Sequence, residues 1–437
     1  MSEIFGSPWL PTFVMLLLAC GARFFSKSWL APGPFALLIW SIYFVLPLSI
    51  APGYKVPALG VWLILALVLC IAIGADLGVG KSAVHDCSLR RDAPNVKAIL
   101  YWSLFLSLPG LLGGLYWAEK TVTANNLDFS VPGLFALGHV LSVERYGGEQ
   151  PPLLARALVV WVYPAVLLAG MTRAIVRSKW HRVLCLLTLL PALLLSALQA
   201  AKANTLMSVV LFLAGYLAMK VFCGTRKLVS WRAMFVVAGS VIAAVSLFLA
   251  VDALRAHDEK DQDIQVDADW GRVRSATVGY LAVFGLWANS PEGPDTLSAK
   301  WGAYTLGGPF EALGLRTRLT GVYEKSVDLE DSDSNIYTAF RGIIEDFTLY
   351  GAPIFCFLIG LLAGCAYRRA VLGCESWMLV LAGFYAFLFW SPLNSMFNYN
   401  GPILAILVSV AVLKRGNVSL TRGFAPGGLA SPGPRRA

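Results

Sequence analysis

Apolar runs of about 17 to 25 residues, divided by short polar turns, follow one another along most of this chain, and that is the length a helix needs to cross about 30 Å of hydrocarbon. About eleven such runs can be read, beginning near residues 8, 34, 57, 98, 154, 182, 204, 232, 344, 376 and 400. The first, PWLPTFVMLLLACGARFF, has neither a basic leading region nor a small-residue cleavage site and reads as a retained span. Two stretches break the rhythm. Residues 119–152 enclose VPGLFALGHVL, too short to span and suited to lying in the interface. Residues 252–343 begin with the polar RAHDEKDQDIQVDADWGRVRSA and continue through apolar and aromatic pieces punctuated by Gly and Pro, a pattern of short helices on the membrane surface.

The predicted fold is therefore an all-α polytopic membrane protein, and composition agrees. The chain is 57% hydrophobic and 14% charged, with a mean hydropathy of +0.66, against about 25% charged residues in soluble domains. Lys and Arg fall mostly in alternate loops: Lys81, Arg90, Arg91 and Lys97, then Arg173, Arg177, Lys179 and Arg182, then Arg368 and Arg369. Basic loops stay in the cytoplasm, which predicts an outward N-terminus and a cytoplasmic C-terminus. The net charge of +9 then faces anionic headgroups, and nucleic acid is not an expected partner. All eight cysteines fall in spans or on the cytoplasmic side of this plan, where they act as small apolar fillers. The organisation expected is a bundle of eight spans over 1–251, an outer loop over 252–343, three spans over 344–414 and a Gly/Pro-rich tail over 415–437.

No GxxxxGK[ST], HExxH or GxSxG pattern occurs, so nothing points to a nucleotide-driven engine or a zinc peptidase. Three Asp-x-Asp triplets (Asp261/Asp263, Asp267/Asp269, Asp331/Asp333) lie in an Asp-rich loop that yields them by chance; no metal or cofactor is expected. His139 and His257 are the outward histidines and are held as reserves. Outward arginines are more informative because positive charge is depleted there. Arg255, the pairs Arg272/Arg274 and Arg316/Arg318, and Arg341 suit a phosphate or diphosphate at headgroup level, since guanidinium grips phosphate oxygens through paired hydrogen bonds. Lys202 stands in the tight turn QAAKANTL between two spans, where a polar cluster faces the bundle interior or snorkels to the interface.

The stretch SNIYTAFRGIIEDFTLYG, residues 334–351, carries charge to the doorstep of a span. Spacing by four puts Tyr337, Arg341 and Glu345 on one helical face, with Asp346 pointing elsewhere. The preceding DSDSN offers N-caps, predicting a helix from about Asn335. A solvated helix entry with one surface ion pair would explain these residues equally well.

Asn335-Ile336-Tyr337-Thr338, followed by Asp346-Phe347 and Gly351, resembles the signature of bacterial oligosaccharide repeat unit polymerases, the Wzy-type O-antigen polymerases. WGAYTLGGPFEALGL from Trp301 and QAAKANTLMSVVLFLAGYL resemble two further segments of that family. The pattern departs at Thr348, where the family commonly has Gly after Asp-Phe. The resemblance implies a GT-C-like glycosyltransferase of the bacterial inner membrane with its active face in the periplasm. Its partners would be undecaprenyl-diphosphate-linked glycans as donor and acceptor, the bilayer, and a chain-length regulator protein. On that reading Arg341 and one of the pairs Arg272/Arg274 or Arg316/Arg318 meet the leaving diphosphate, with Arg255 and Lys202 supporting. Asp346 is the first candidate for the general base and Glu345 the second, unless Glu345 orients Arg341; Asn335, Tyr337 and Thr338 line the sugar site. An O-antigen ligase and a lipid-linked oligosaccharide transporter are the rival expectations.

Overall fold

The computed structural model describes residues 6–80, 96–128, 151–198, 202–225, 265–291, 299–315 and 333–415, with shorter pieces within 130–141, at 293–294 and within 323–329. The predicted eighth span, from residue 232, and the tail after Arg415 lie outside the described residues. Fifteen helices are described: α1 Trp9–Ser26, α2 Pro32–Ile50, α3 Ala58–Val79, α4 Val96–Ala124, α5 Leu153–Val159, α6 Val162–Ile175, α7 Lys179–Leu187, α8 Leu190–Leu198, α9 Lys202–Phe222, α10 Gln265–Val278, α11 Tyr280–Ala288, α12 Gly307–Ala312, α13 Ala339–Val371, α14 Glu375–Trp390 and α15 Asn400–Arg415. Pro164 and Pro191 sit just inside α6 and α8, where a ring without an N–H ends one helical ladder and begins the next. Each of those two spans is thereby split.

Eight helices among the described residues are long and apolar enough to cross a membrane, and α14 and Asn400–Lys414 are shorter apolar helices. The chain is a mostly helical, multi-pass membrane protein. Its helices bury one face and present another as a greasy stripe. On α13, Ile354, Leu358 and Leu362 are exposed and recur every fourth residue, while Cys356, Gly360, Ala363 and Gly364 are buried. Such a stripe has acyl chains as its natural solvent.

Small residues set the closest approach. Gly74-x-x-x-Gly78 of α3 crosses Gly360-x-x-x-Gly364 of α13: a Cβ on Gly74 would meet the Phe357 carbonyl, one on Gly360 the Ile71 carbonyl, and one on Gly364 the Ala75 carbonyl. Without Cβ atoms the two backbones pack face to face, the arrangement by which helices associate where no hydrophobic effect separates them from lipid. Gly170 and Gly215 do the same for α6 and α9, against Phe212 and Leu167. Buried phenols are satisfied by distant carbonyls: the Tyr43 hydroxyl donates to Phe389 O at 3.1 Å and that of Tyr280 to Tyr43 O at 2.6 Å. These bonds tie α2 to α11 and to the end of α14.

One expectation for 333–348 needs correction. Helix α13 begins at Ala339, not near Asn335; Asp333–Ser334 instead pair antiparallel with Val327–Asp328, the one strand ladder among the described residues. Thr348, despite its side chain, takes φ 64° and ψ 173°, a region other residues than glycine avoid. The helix kinks there.

Candidate functional site

Two carbonyls at the kink find partners from another segment. Lys300 N–H donates to Glu345 O at 3.2 Å and Trp301 N–H to Asp346 O at 3.0 Å, which answers the interrupted ladder of α13. The chain reverses immediately after, with positive φ at Trp301 (51°) and Gly302 (93°). That reversal brings the next N–H groups onto the Asp346 carboxylate: Tyr304 N–H is shared between its two oxygens at 3.0 and 3.1 Å, and Thr305 N–H reaches Oδ2 at 2.6 Å. Asp346 is fully buried. Among the described residues its charge is therefore met by backbone dipoles and not by a cation. From the far side, the Ser395 hydroxyl donates to Thr305 O at 2.8 Å and Ala339 N–H to Ser391 O at 2.7 Å, so the turn after α14 braces both the 299–306 segment and the start of α13.

On the opposite face of the same helix turn lies Arg341. Its Nε donates to Glu345 Oε1 at 2.6 Å, an i to i+4 pair in which the side chains are 14% and 4% exposed. The guanidinium lies 3.9 Å from the Tyr337 ring centroid, 4.0 Å from that of Tyr323 and 5.1 Å from that of Trp287. Three aromatic faces around one cation stabilise it electrostatically while shielding it from water. Tyr304 stacks on Tyr323 at 5.5 Å, and Tyr323 meets Tyr337 edge-on at 4.8 Å. Burial, reinforced by the Glu345 charge, raises the Tyr323 phenol well above its usual pKa, so the ring facing Arg341 stays neutral.

Glu345 has a second cation. Lys300 Nζ stands 3.6 Å from Oε2, 3.1 Å from the Tyr304 hydroxyl and 4.7 Å from the Tyr304 ring centroid, and its side chain is 42% exposed. Two buried polar atoms here have no hydrogen-bond partner among the described residues: Arg341 Nη1 and Thr338 Oγ1. Orphaned donors in a buried region are costly unless something from outside the protein meets them.

Of the residues named from the sequence, Tyr337, Thr338, Arg341, Glu345 and Asp346 come together here, with Asn335 at the edge. Asn335 is exposed and donates from Nδ2 to Tyr323 O at 3.3 Å, which steadies that ring. Tyr337 meets Arg341 by stacking from the extended segment before α13, not as its neighbour on a helical face. Arg274 is carried by α10, its guanidinium 5.0 Å from the Tyr54 ring centroid. Arg272 lies on α10 and Lys202 opens α9. Arg255, Arg316, Arg318, His139, His257 and Asp261/Asp263 lie outside the described residues. Sequence reasoning did not name Lys300, Tyr304, Tyr323 or Trp287. The signal available was WGAYT, whose aromatic and hydroxyl residues follow a lysine directly.

Comparison of the chain with known protein families, curated proteins and solved structures finds no match. Among the described residues no group of three His, Cys, Asp or Glu could hold a metal ion.

Proposed function

We propose that this chain is a glycosyltransferase of the bacterial inner membrane that polymerises undecaprenyl-diphosphate-linked oligosaccharide repeat units into O-antigen or a related surface polysaccharide. The observation that carries the reading is Arg341: a buried, aromatic-lined cation anchored through Nε, whose Nη1 has no protein partner among the described residues. A preorganised guanidinium of this kind stabilises negative charge that develops during a reaction. The sequence resemblance supplies the substrate class. Orientation supports it as well: Arg341 stands near the start of α13 and Arg368 and Arg369 in its last turn, about 40 Å apart at 1.5 Å per residue. With the basic end in the cytoplasm, Arg341 faces the periplasm.

In the proposed reaction a hydroxyl oxygen of the acceptor sugar bonds to the anomeric carbon of the donor. The bond from that carbon to the diphosphate oxygen breaks, its electron pair staying on the diphosphate, where Arg341 meets the charge. The hydroxyl proton passes to a carboxylate. Glu345 is the nearer candidate, because it is paired with Arg341 beside the proposed leaving group, whereas Asp346 faces the N–H groups of Tyr304 and Thr305 on the other side of the turn. Asp346 then serves to hold the 299–306 segment against the helix, and Thr338 and Tyr337 line the sugar side.

The test is complementation of a strain lacking the native gene, at matched protein level. Arg341→Ala is expected to abolish the ladder of repeat units on a lipopolysaccharide gel. A normal ladder from that variant would sink the reading, and polymer accumulating on undecaprenyl diphosphate without transfer would indicate a ligase instead.

A further inference from the structure

We infer that Lys300 is the outer contact of an anion seat that it forms together with Arg341, and that the seat takes a phosphate-ester headgroup. The inference rests on the proposed function only for the identity of that headgroup. Three observations carry it. Among the described residues Arg341 and Lys300 share one paired carboxylate, Glu345, so a surplus of donor N–H groups is left over. The surplus is also accessible: Lys300 is 42% exposed where Arg341 is 14%, so an anion arriving from solvent or from the headgroup layer meets Lys300 first. And Nη1 of Arg341, the cation that shares Glu345 with Lys300, is buried and without a partner among the described residues.

The lysine is also held in place. Its ammonium donates to the Tyr304 hydroxyl at 3.1 Å, lies over the Tyr304 ring and leans on Glu345 Oε2 at 3.6 Å, while its own N–H is pinned to Glu345 O. A surface lysine normally carries much rotamer freedom; this one is restrained before ligand arrives, which lowers the cost of binding. Phosphate suits the pair, because the ammonium acts as a point charge and the guanidinium as a directional donor. Tyr304 is then a positioning residue.

The experiment uses the full chain in phosphatidylcholine nanodiscs and measures binding of undecaprenyl diphosphate without glycan and, separately, of phosphatidylglycerol. Lys300→Gln is expected to weaken undecaprenyl diphosphate about tenfold, the scale of one charge-assisted hydrogen bond. Lys300→Arg should restore most of the affinity, and Tyr304→Phe should fall between. If phosphatidylglycerol binding responds to Lys300→Gln in the same degree, the seat stands as a site for anionic lipid while the polymerase reading loses its support. If folded Lys300→Gln binds both ligands as the unaltered protein does, the inference is overturned, whatever polymer the chain makes in cells.

Discussion

Arg341 and Glu345 stand one helical turn apart and are joined by a 2.6 Å bond from Nε to Oε1, with both side chains largely withdrawn from solvent. Two charges so placed are a poor source of net stability, because desolvation offsets their attraction, but removing either one strands the other. Arg341→Ala and Glu345→Ala are each expected to destabilise the protein by about 3 kcal/mol. The double substitution by apolar residues of similar volume, Arg341→Met with Glu345→Leu, should cost less than either alone. Thermal unfolding of the purified chain in nanodiscs decides it; strictly additive losses would show that the pair is not coupled.

Charge alone does not account for the three rings around Arg341. Lysine keeps the charge and loses the planar group that lies 3.9 and 4.0 Å from the Tyr337 and Tyr323 ring centroids, so Arg341→Lys is not a conservative change at this position. The expected outcome is a folded protein that no longer complements polymer formation. A ladder of normal intensity from Arg341→Lys would mean that a positive charge suffices and the stacking is incidental.

Asp346 makes a separate prediction, on stability. Its carboxylate accepts from Tyr304 and Thr305 N–H. Asparagine keeps the shape but offers one acceptor oxygen and turns an amide N–H₂ toward donors. Asp346→Asn should therefore cost about 1 to 3 kcal/mol and speed amide hydrogen exchange across 300–306 more than elsewhere in the chain. Unchanged exchange in that segment would show that Lys300 and Trp301, bonded to the kink carbonyls, hold it without the carboxylate.

These residues also mark how far the sequence could be read. Apolar runs announce spans because a helix in lipid must satisfy its own backbone and carry apolar side chains, and ten of the eleven run positions coincide with apolar helices; the remaining one lies outside the described residues. Arg341 and Glu345 could be paired from i to i+4 spacing alone. Tyr323, Trp287 and Lys300 could not, since each reaches the cluster from a different loop or helix and only tertiary packing sets their distance. The helix start was misplaced for a related reason. Asp333 and Ser334 carry good N-cap chemistry, but a short pairing with Val327–Asp328 claims their backbone first, and Thr338 becomes the residue before the helix without a capping bond from its side chain.

Glycine contacts separate packing from propensity. Gly360→Ala would drive a methyl group into the Ile71 carbonyl of α3, whereas a Cβ on Gly21 of α1 meets nothing within 4 Å. Replacing a helix-interior glycine with alanine is ordinarily worth about 0.5 to 1 kcal/mol in favour of the helix. Gly21→Ala should follow that rule and raise the unfolding temperature slightly. Gly360→Ala should lower it by several degrees, because α3 and α13 must move apart along their whole crossing. Equal effects from the two would refute the close-packed crossing.

Thr348 is the place where the chain holds a conformation its side chain resists. With φ 64° and ψ 173° it occupies a region that costs a residue bearing a Cβ about 1 to 3 kcal/mol, and it lies two residues beyond Asp346, between the clamp and the lipid-facing part of α13. Glycine removes that penalty but gives the unfolded chain more freedom, an opposing effect of up to about 1 kcal/mol. Thr348→Gly is thus expected to stabilise the protein by about 1 kcal/mol, while Thr348→Ala, which keeps the Cβ, should bring no such gain. If alanine stabilises as much as glycine, the threonine's effect lies in its hydroxyl or methyl contacts, and the kink is not a strained glycine-type turn. If both variants melt together with a loss of polymer formation, the bend at Thr348 is held by the side chain itself, and Lys300 and Asp346 depend on it for their positions.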